Sequence, residues 1–513
     1  MLFTSISFLF LFLPISIVFH FFAARLGEGM RLCALILTSI LVFAVWDVRT
    51  GLVLATSIVV NYSIAGLLQQ ARDDEHGFQT NMFLLAGIAF NLAVLGAFRY
   101  ATFLVGSTNF VFGSNTQIGK FLAPLCVLFF SCDQIAYLVD LKRGKTRHAE
   151  LLPYLAFASF FPRLTAGPLL RYEQIGSQWG KTNVNSEDLA SGIATLAIGL
   201  AKTILLGGAV APIANLAFSA AASGEEIDLF AAWTGVLAFS CQIYFDLSGY
   251  ADIAIGIARC FGISLPVNYR SPYRSQNVTE FWQRWNITLA AFLRDYVYYP
   301  LGGNRGNIAH VALNIVITMI VAGLWYGAGK MFIAWALLHS FYLFLHRIWR
   351  ALGSRSETIT RFRQTRVART LGTIVTFVAV SLAWIIFRVP DSGAGLTLFA
   401  ALFGQHGAML PSSFAPFLSY AHELGVVFAP IDGALLIKAW AWLAVCLIVI
   451  FAFPNTETLL SSFASPNRKE DGIPRIWPLR WIPSPVWALA LGTIMFTILV
   501  SQSEANVAIH WRF

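Results

Sequence analysis

The sequence predicts an all-α polytopic membrane protein, on three observations. Of its 513 residues, 57% are hydrophobic and only 12% charged, about half the charged fraction of an ordinary soluble chain. Apolar stretches of about 17–25 residues, the length that crosses a ~30 Å hydrocarbon core as helix, recur from end to end. The alternation expected of a membrane barrel is missing, and only helices or closed barrels satisfy their own backbone hydrogen bonds in lipid.

Taken in order, the apolar runs place spans near 5–22, 31–47, 51–69, 81–98, 117–140, 189–219, 230–248, 308–327, 331–346, 371–388, 436–455 and 484–502. The first run lacks a basic leader and a small-residue cleavage site, so it reads as a span and not as a removed signal peptide. The basic residues between spans fall in clusters. Segment 347–369 holds seven arginines against one glutamate, and further clusters sit at 142–147 and around Arg468, Lys469, Arg475 and Arg480. Residues 389–437 contain no lysine or arginine. Basic loops stay cytoplasmic, so twelve spans with the N-terminus outside put every cluster on the expected side. The net charge of +9 is then a topological signal; no nucleic-acid recognition motif accompanies it.

Two regions do not read as simple spans. Segment 150–175 carries Pro162, Gly167 and Pro168 beside Arg163 and Arg171, a broken, re-entrant pattern tolerated only inside protein or along a cavity. Segment 268–306 is rich in Arg, Tyr, Trp and Asn. It reads as an in-plane cytoplasmic helix, with Trp282, Trp285, Tyr296, Tyr298 and Tyr299 at headgroup level. The six cysteines form no C-x-x-C pair, so neither a metal site nor a disulfide framework is expected. Residues 1–513 read as one membrane domain.

Polar residues in membrane segments are costly, and each is a functional candidate. The densest set runs through Gln242, Asp246, Asp252, Asn286, Arg294, Tyr326 and His339. The strings that hold it are YFDLSGYADIAIG at 244–256, TEFWQRWNITL at 279–289, FLRDYVYYPLGGNRG at 292–306, and GLWYGA with WALLH across 323–339. They resemble the membrane-bound O-acyltransferase (MBOAT) family, most closely the branch typified by the alginate O-acetyltransferase membrane subunit. The likeness extends to NLAVLGAFRYATF at 91–103, YLVDLKRG at 137–144 and FFPRLTAGPLLRY at 160–172. Residues 90–350 would form the family core and 370–513 a set of C-terminal transmembrane helices.

The resemblance implies a multi-helix bundle of about 10–12 spans around a central funnel, in a bacterial inner membrane. It implies an acyl donor from the cytoplasm, acetyl-CoA or an acyl carrier, with no bound cofactor. It implies delivery to an exopolysaccharide (alginate-like or cellulose-like) or cell-wall polymer through a periplasmic, esterase-like acetyltransferase partner. Where the family has its essential histidine, in a Gly-Leu-Trp-His-Gly string, this chain has Tyr326. Acyl transfer to a hydroxyl calls for a general base near neutral pKa; a phenol near 10 is roughly one part in a thousand ionised at pH 7. Tyr326 can instead donate to a developing oxyanion, worth about 3 kcal/mol.

Asn286 occupies the family's second polar position. His339 matches a second histidine of the bacterial branch. It is either a relocated base or a histidine bonded between helices. On an unbroken helix its thirteen-residue separation from Tyr326 spans about 20 Å, unless Gly327 and Gly329 break the helix into a hairpin. Arg284, Arg294 and Arg305 are either ligands of donor phosphates or interfacial anchors. Asp246, Asp252 and Trp325 are assigned to the cavity, the two aspartates either orienting catalytic groups or pairing with Arg163, Arg171 or Arg259. Two functional readings follow. One is an active O-acyltransferase; the other is a pseudoenzyme that keeps the fold and scaffolds an acetylation or export complex. A transporter would show inverted repeats with broken helices in both halves, and none is present.

Overall fold

The computed structural model describes residues 2–46, 48–112, 125–164, 167–180, 186–353, 356–460 and 481–504. Among the described residues the architecture is helical apart from one small sheet. In chain order the helices are α1 (Phe8–Arg25), α2 (Glu28–Trp46), α3 (Val48–Asp73), α4 (Gly77–Gly106), α5 (Leu125–Lys142) and α6 (Leu151–Ser159). Next come α7 (Ser186–Ser223), α8 (Leu229–Cys260), α9 (Val278–Arg284), α10 (Ile287–Leu293), α11 (Ile308–Tyr326) and α12 (Lys330–Gly353). Then follow α13 (Arg366–Arg388), α14 (Ser392–Leu402), α15 (Gly433–Ala452) and α16 (Pro485–Glu504). Two parallel strands, β1 (Ala408–Pro411) and β2 (Val426–Ala429), lie in the loop without lysine or arginine. Among the described residues, nine helices are long and apolar enough to cross a membrane. The expected span at 117–140 falls partly outside the described residues, and α5 holds the rest of it.

The centre of the molecule is α8. Asp228 caps it by accepting from the Phe230 and Ala231 amides at 2.8 and 3.3 Å, and its 32 residues are mostly buried. Helix α7 lies against it along a seam of small residues. A Cβ on Gly199 would come within 2.7 Å of the Gly249 carbonyl oxygen, so the two backbones meet only because both positions are glycine, the usual way helices approach closely where no hydrophobic force drives them together.

Segment 150–175 breaks as its prolines predict. Helix α6 stops at Phe160, whose ψ of 99° is non-helical, and a single turn Phe161–Leu164 follows. Arg163 is buried in an ion pair with Asp133 on α5, and the Leu170 amide donates to the same carboxylate at 3.1 Å. This overturns the expected pairing of Arg163, Arg171 or Arg259 with the aspartates of α8. Arg171 pairs with Asp295 and Arg259 with Asp188, because each arginine meets the nearer carboxylate on its own neighbouring element. Asp252 is held by Lys202 at 2.6 Å and by the Thr456 hydroxyl at 2.6 Å. Lys202 sits in a π-helical turn of α7, Ala201–Gly207.

Residues 268–306 fold as four short helical pieces, a 3-10 turn Pro272–Arg274, α9, α10 and a π turn, Arg294–Tyr298. Trp282 and Trp285, expected as anchors facing the headgroups, point into the protein. They are buried, at 8% and 0% exposure, because the 277–286 turn tucks them under α12 and α13. Trp285 stacks on Phe281 with ring centroids 5.4 Å apart and packs 5.0 Å from Trp384. The Trp384 indole donates to the Tyr273 hydroxyl at 2.9 Å, and that hydroxyl donates to the Ser240 carbonyl at 2.7 Å. The indoles of Trp285 and Trp384 and the Tyr273 hydroxyl are thus each hydrogen-bonded, and each ring pair adds about 0.5–1.5 kcal/mol beyond its buried area.

Candidate active site

Helices α11 and α12 form a tight hairpin. Gly327, in extended conformation, ends α11, and Lys330 begins α12. A Cβ on Gly323 would come within 2.5 Å of the Phe332 carbonyl oxygen, so only glycine lets the arms close there. The last carbonyls of α11, which have no intrahelical donor, receive side chains from a π turn in α4, Gly96–Tyr100. The Tyr100 hydroxyl donates to Leu324 O at 2.9 Å, and Arg99 donates to Tyr326 O at 3.2 Å. Neither residue was assigned a role from sequence, although both lie inside a string that carries the family likeness.

At the hairpin's end the Tyr326 phenol is 6% exposed. Its oxygen accepts from the Asn286 amide at 3.0 Å and from the Trp285 indole at 3.1 Å. Asn286 reaches it because its backbone is left-handed, φ 43° and ψ 56°, between α9 and α10. Asparagine tolerates that region better than most residues. With both lone-pair directions engaged, the phenol keeps one function, its O–H donor. Among the described residues, no imidazole or carboxylate bonds to it.

His339 is brought near but not into contact. Tyr326 packs edge-on against Trp335 at 5.4 Å, and Trp335 packs against His339 at 4.6 Å. The imidazole is fully buried, and its Nδ1 accepts from the Trp282 indole at 3.3 Å. The hairpin thus shortens the separation expected of a continuous helix, and Trp335 fills what is left.

Below this centre opens a cavity of about 920 Å³. Its body is apolar, walled by Trp282, Ile287, Ala290, Ile315, Met319 and Leu343, and Arg270, Arg294, Arg347 and Arg350 add four guanidinium groups. Of the arginines singled out from sequence, Arg294 lines it. Arg284 does not, being tied to Glu280 at 2.8 Å on its own helix, and Arg305 is exposed outside. Arg347 and Arg350 were legible only as members of the basic 347–369 run. Arg270 was missed; it is gripped by Glu457 through bonds of 2.6 and 3.0 Å. Asp246, Asp252 and Trp325 are not lining residues. Asp246 is fully buried within α8, Asp252 belongs to the Lys202–Thr456 cluster, and Trp325 packs on Phe129 at 5.1 Å.

Asp295 anchors the cavity's outer rim. Burial alone would push its carboxyl up, but the guanidinium groups of Arg294 and Arg171 prevail and hold it below the usual carboxylate range. Arg294 binds it through two bonds of 2.8 and 3.1 Å.

A bundle of membrane helices enclosing a buried hydrogen-bonding centre above an arginine-lined cavity describes a multi-pass membrane protein with an internal polar site. Residues 117–387 match the family model of the membrane-bound O-acyltransferases, and the chain belongs to that family. It is 32% identical to the peptidoglycan O-acetyltransferase of Helicobacter pylori over 440 residues, covering 80% of this chain and 81% of the relative. It is 34% identical over 408 residues to a protein named probable alginate O-acetylase from Pseudomonas aeruginosa, covering 79% and 75%. The teichoic acid D-alanyltransferase of Bacillus subtilis is 24% identical over 245 residues, 45% of this chain and 60% of that one. The family and the relatives named O-acetyltransferases mark the chain as an acyltransferase by descent.

Proposed function

We propose that the protein takes an acetyl group from a cytoplasmic acetyl-CoA, bound in the arginine-lined cavity, and passes it through the Tyr326 centre to an acceptor on the other face of a bacterial inner membrane. The end product is an O-acetylated exopolysaccharide or cell-wall polymer, reached through a periplasmic acetyltransferase partner. One observation carries the reading. The cavity joins an apolar body to four guanidinium groups; Arg270 and Arg294 are held by Glu457 and Asp295, and Arg347 and Arg350 are the pair that suits a thioester arm ending in phosphates, since guanidinium forks bind phosphate in two-pronged fashion. Arg347 and Arg350 belong to the basic segment that the positive-inside rule assigns to the cytoplasm.

The atoms of the transfer balance without a metal or redox partner. The acceptor oxygen forms a bond to the acyl carbon, the carbon–sulfur bond breaks, and the hydroxyl proton leaves with CoA as its thiol. Tyr326 supplies a hydrogen bond to the carbonyl oxygen as charge develops there. Two donors on the phenol oxygen polarise its O–H and strengthen that bond. The test is acetyl transfer from labelled acetyl-CoA by the purified chain, with binding measured alongside. Saturable binding with transfer supports the reading; absence of any acetyl-CoA binding refutes it.

The pseudoenzyme reading is favoured by one feature: among the described residues, no imidazole or carboxylate bonds to the Tyr326 phenol. It predicts acetyl-CoA binding without turnover in the same experiment.

A further inference from the structure

We propose that the end of α12 and the short helix after it, Glu357–Gln364, form a binding site for an anionic phospholipid. Its phosphate sits on Arg363 and its acyl chains lie along the outer face of α12. The inference stands apart from what fills the cavity. Leu343, His346, Arg347 and Arg350 line the cavity from one face of α12. Leu337, Phe341, Leu345, Trp349 and Leu352 are all exposed, and at 3.6 residues per turn they point roughly the opposite way. This apolar stripe runs about 22 Å along the helix axis, more than the ~15 Å depth of hydrocarbon in one leaflet.

An apolar stripe alone is what any lipid-facing helix shows, and a cluster of arginines alone satisfies the positive-inside rule. Here the two are clasped together. The Glu357–Gln364 helix folds back on the end of α12, where the Thr360 hydroxyl donates to the Gly353 carbonyl at 2.9 Å. A Cβ on Gly353 would collide with the Arg363 guanidinium, so glycine is what lets that side chain cross the helix end. The guanidinium comes to rest over the Trp349 ring, 5.6 Å from its centroid. A cation is thereby fixed at the foot of the stripe.

Stacking on an indole uses the face of a guanidinium and leaves its N–H groups, which lie in the plane, free to bind phosphate. Among the described residues no carboxylate pairs with Arg363. Glu357, the one acid in the basic 347–369 segment, is taken by Arg361 at 2.6 Å. Arg366 and Arg369 stand exposed in the first turn of α13 and add positive charge to the same end. An anion with a long apolar tail matches both halves of the site. A free phosphate would use the guanidinium and leave the stripe idle.

The test is native mass spectrometry of the full-length protein after exchange, in detergent, with an equal mixture of phosphatidylglycerol and phosphatidylcholine of one chain length. The readout is the ratio of the two lipids retained, and the parent should retain phosphatidylglycerol in excess. Arg363→Gln should cut the ratio about fivefold, the factor carried by one arginine at an anionic leaflet. Trp349→Ala changes no charge but removes the platform, and should cut it about two- to fivefold. Arg361→Gln removes the same charge two positions away and should keep the parental ratio. Equal losses in Arg361→Gln and Arg363→Gln, or a parental ratio in Trp349→Ala, would reduce the effect to diffuse charge and overturn the site. Release of the retained lipid by inorganic phosphate would make this a phosphate site and overturn the lipid assignment. A parent that retains both lipids equally overturns the proposal outright.

Discussion

Replacing Tyr326 by phenylalanine removes one oxygen and leaves two buried donors without their acceptor. The Asn286 amide and the Trp285 indole reach that oxygen at 3.0 and 3.1 Å, and their residues are 9% and 0% exposed. Each orphaned donor costs about 1–3 kcal/mol, so stability should fall by roughly 2–4 kcal/mol once partial rehydration of Asn286 is allowed for. Transfer should fall further, because an oxyanion donor is worth about 10²–10³ in kcat. Asn286→Ala removes only one of the two phenol contacts and should cost less on both counts. The double variant should be clearly sub-additive, by about 0.5–3 kcal/mol, since both changes break the same bond. Thermal unfolding in detergent gives the first quantity, and single-turnover transfer from labelled acetyl-CoA gives the second. Parental turnover in Tyr326→Phe would refute the placement of the phenol at the reacting carbonyl. Strict additivity would refute the shared bond.

Other outcomes follow from the cavity and its supports. Arg347→Ala and Arg350→Ala should each weaken acetyl-CoA binding about tenfold, as expected for loss of one charge-assisted contact, with the effect shrinking at high salt; Arg305→Ala, outside the cavity, should stay within about twofold by the same titration. Asp133→Asn leaves Arg163 buried without its partner and should destabilise by about 3–5 kcal/mol, read as loss of monodisperse protein on size-exclusion chromatography. Asp295 is held below its unfolded pKa, so its contribution is fully present above about pH 4 and lost as pH falls through the lower folded value. Unfolding curves of the parent and Asp295→Asn should therefore stay apart from pH 5 to 7 and converge below about pH 4; a gap that persists at lower pH would contradict the sign.

The fold class could be read from sequence because it rests on a bulk property. Continuous apolar runs in lipid admit only helices, and a break such as Pro162 shows in composition alone. The Tyr326–Asn286 pair could be read as candidates because the strings around them are specific. Pairing partners could not be read. Arg163 with Asp133, Lys202 with Asp252 and Arg270 with Glu457 join residues 30 or more apart, and one sequence carries no information on which arginine reaches which carboxylate. Cavity lining was hidden for a related reason. Arg284 and Arg294 look alike in sequence, but α9 turns Arg284 back onto Glu280 while the π turn at Arg294–Tyr298 aims Arg294 at the cavity. Interruptions of helical phase of this kind recur at functional sites, as in the Gly96–Tyr100 turn that delivers Arg99 and Tyr100, and no local residue pattern announces them.

Among the described residues no base bonds to Tyr326, and this narrows what chemistry the centre can perform. A general base typically contributes 10²–10⁴ in rate, and neither Asn286 nor Trp285 can take the acceptor's proton, since a neutral amide and an indole carry no basic lone pair. His339 has its lone pair engaged by Trp282. What remains is the leaving group: a thiolate, with a pKa near 8.5 for an ordinary thiol, is basic enough to carry the hydroxyl proton away once the carbon–sulfur bond has begun to break. Such a centre should run slowly, with a rate that depends on the thiol's basicity and hardly on pH between 6 and 8. Tyr326→His tests this directly. An imidazole is shorter than a phenol, so it gives up the two bonds from Asn286 and Trp285 but gains a nitrogen that can accept a proton. If a base is what the parent lacks, the variant should be faster by up to about 10²–10⁴ and should acquire a rise in rate through pH 6–7 as the imidazole deprotonates. If the centre is built around the phenol as donor, the variant should be slower than the parent and flat in pH. The first result would make the parent a chemically silenced cavity; the second would make it an enzyme that transfers by electrostatic stabilisation alone.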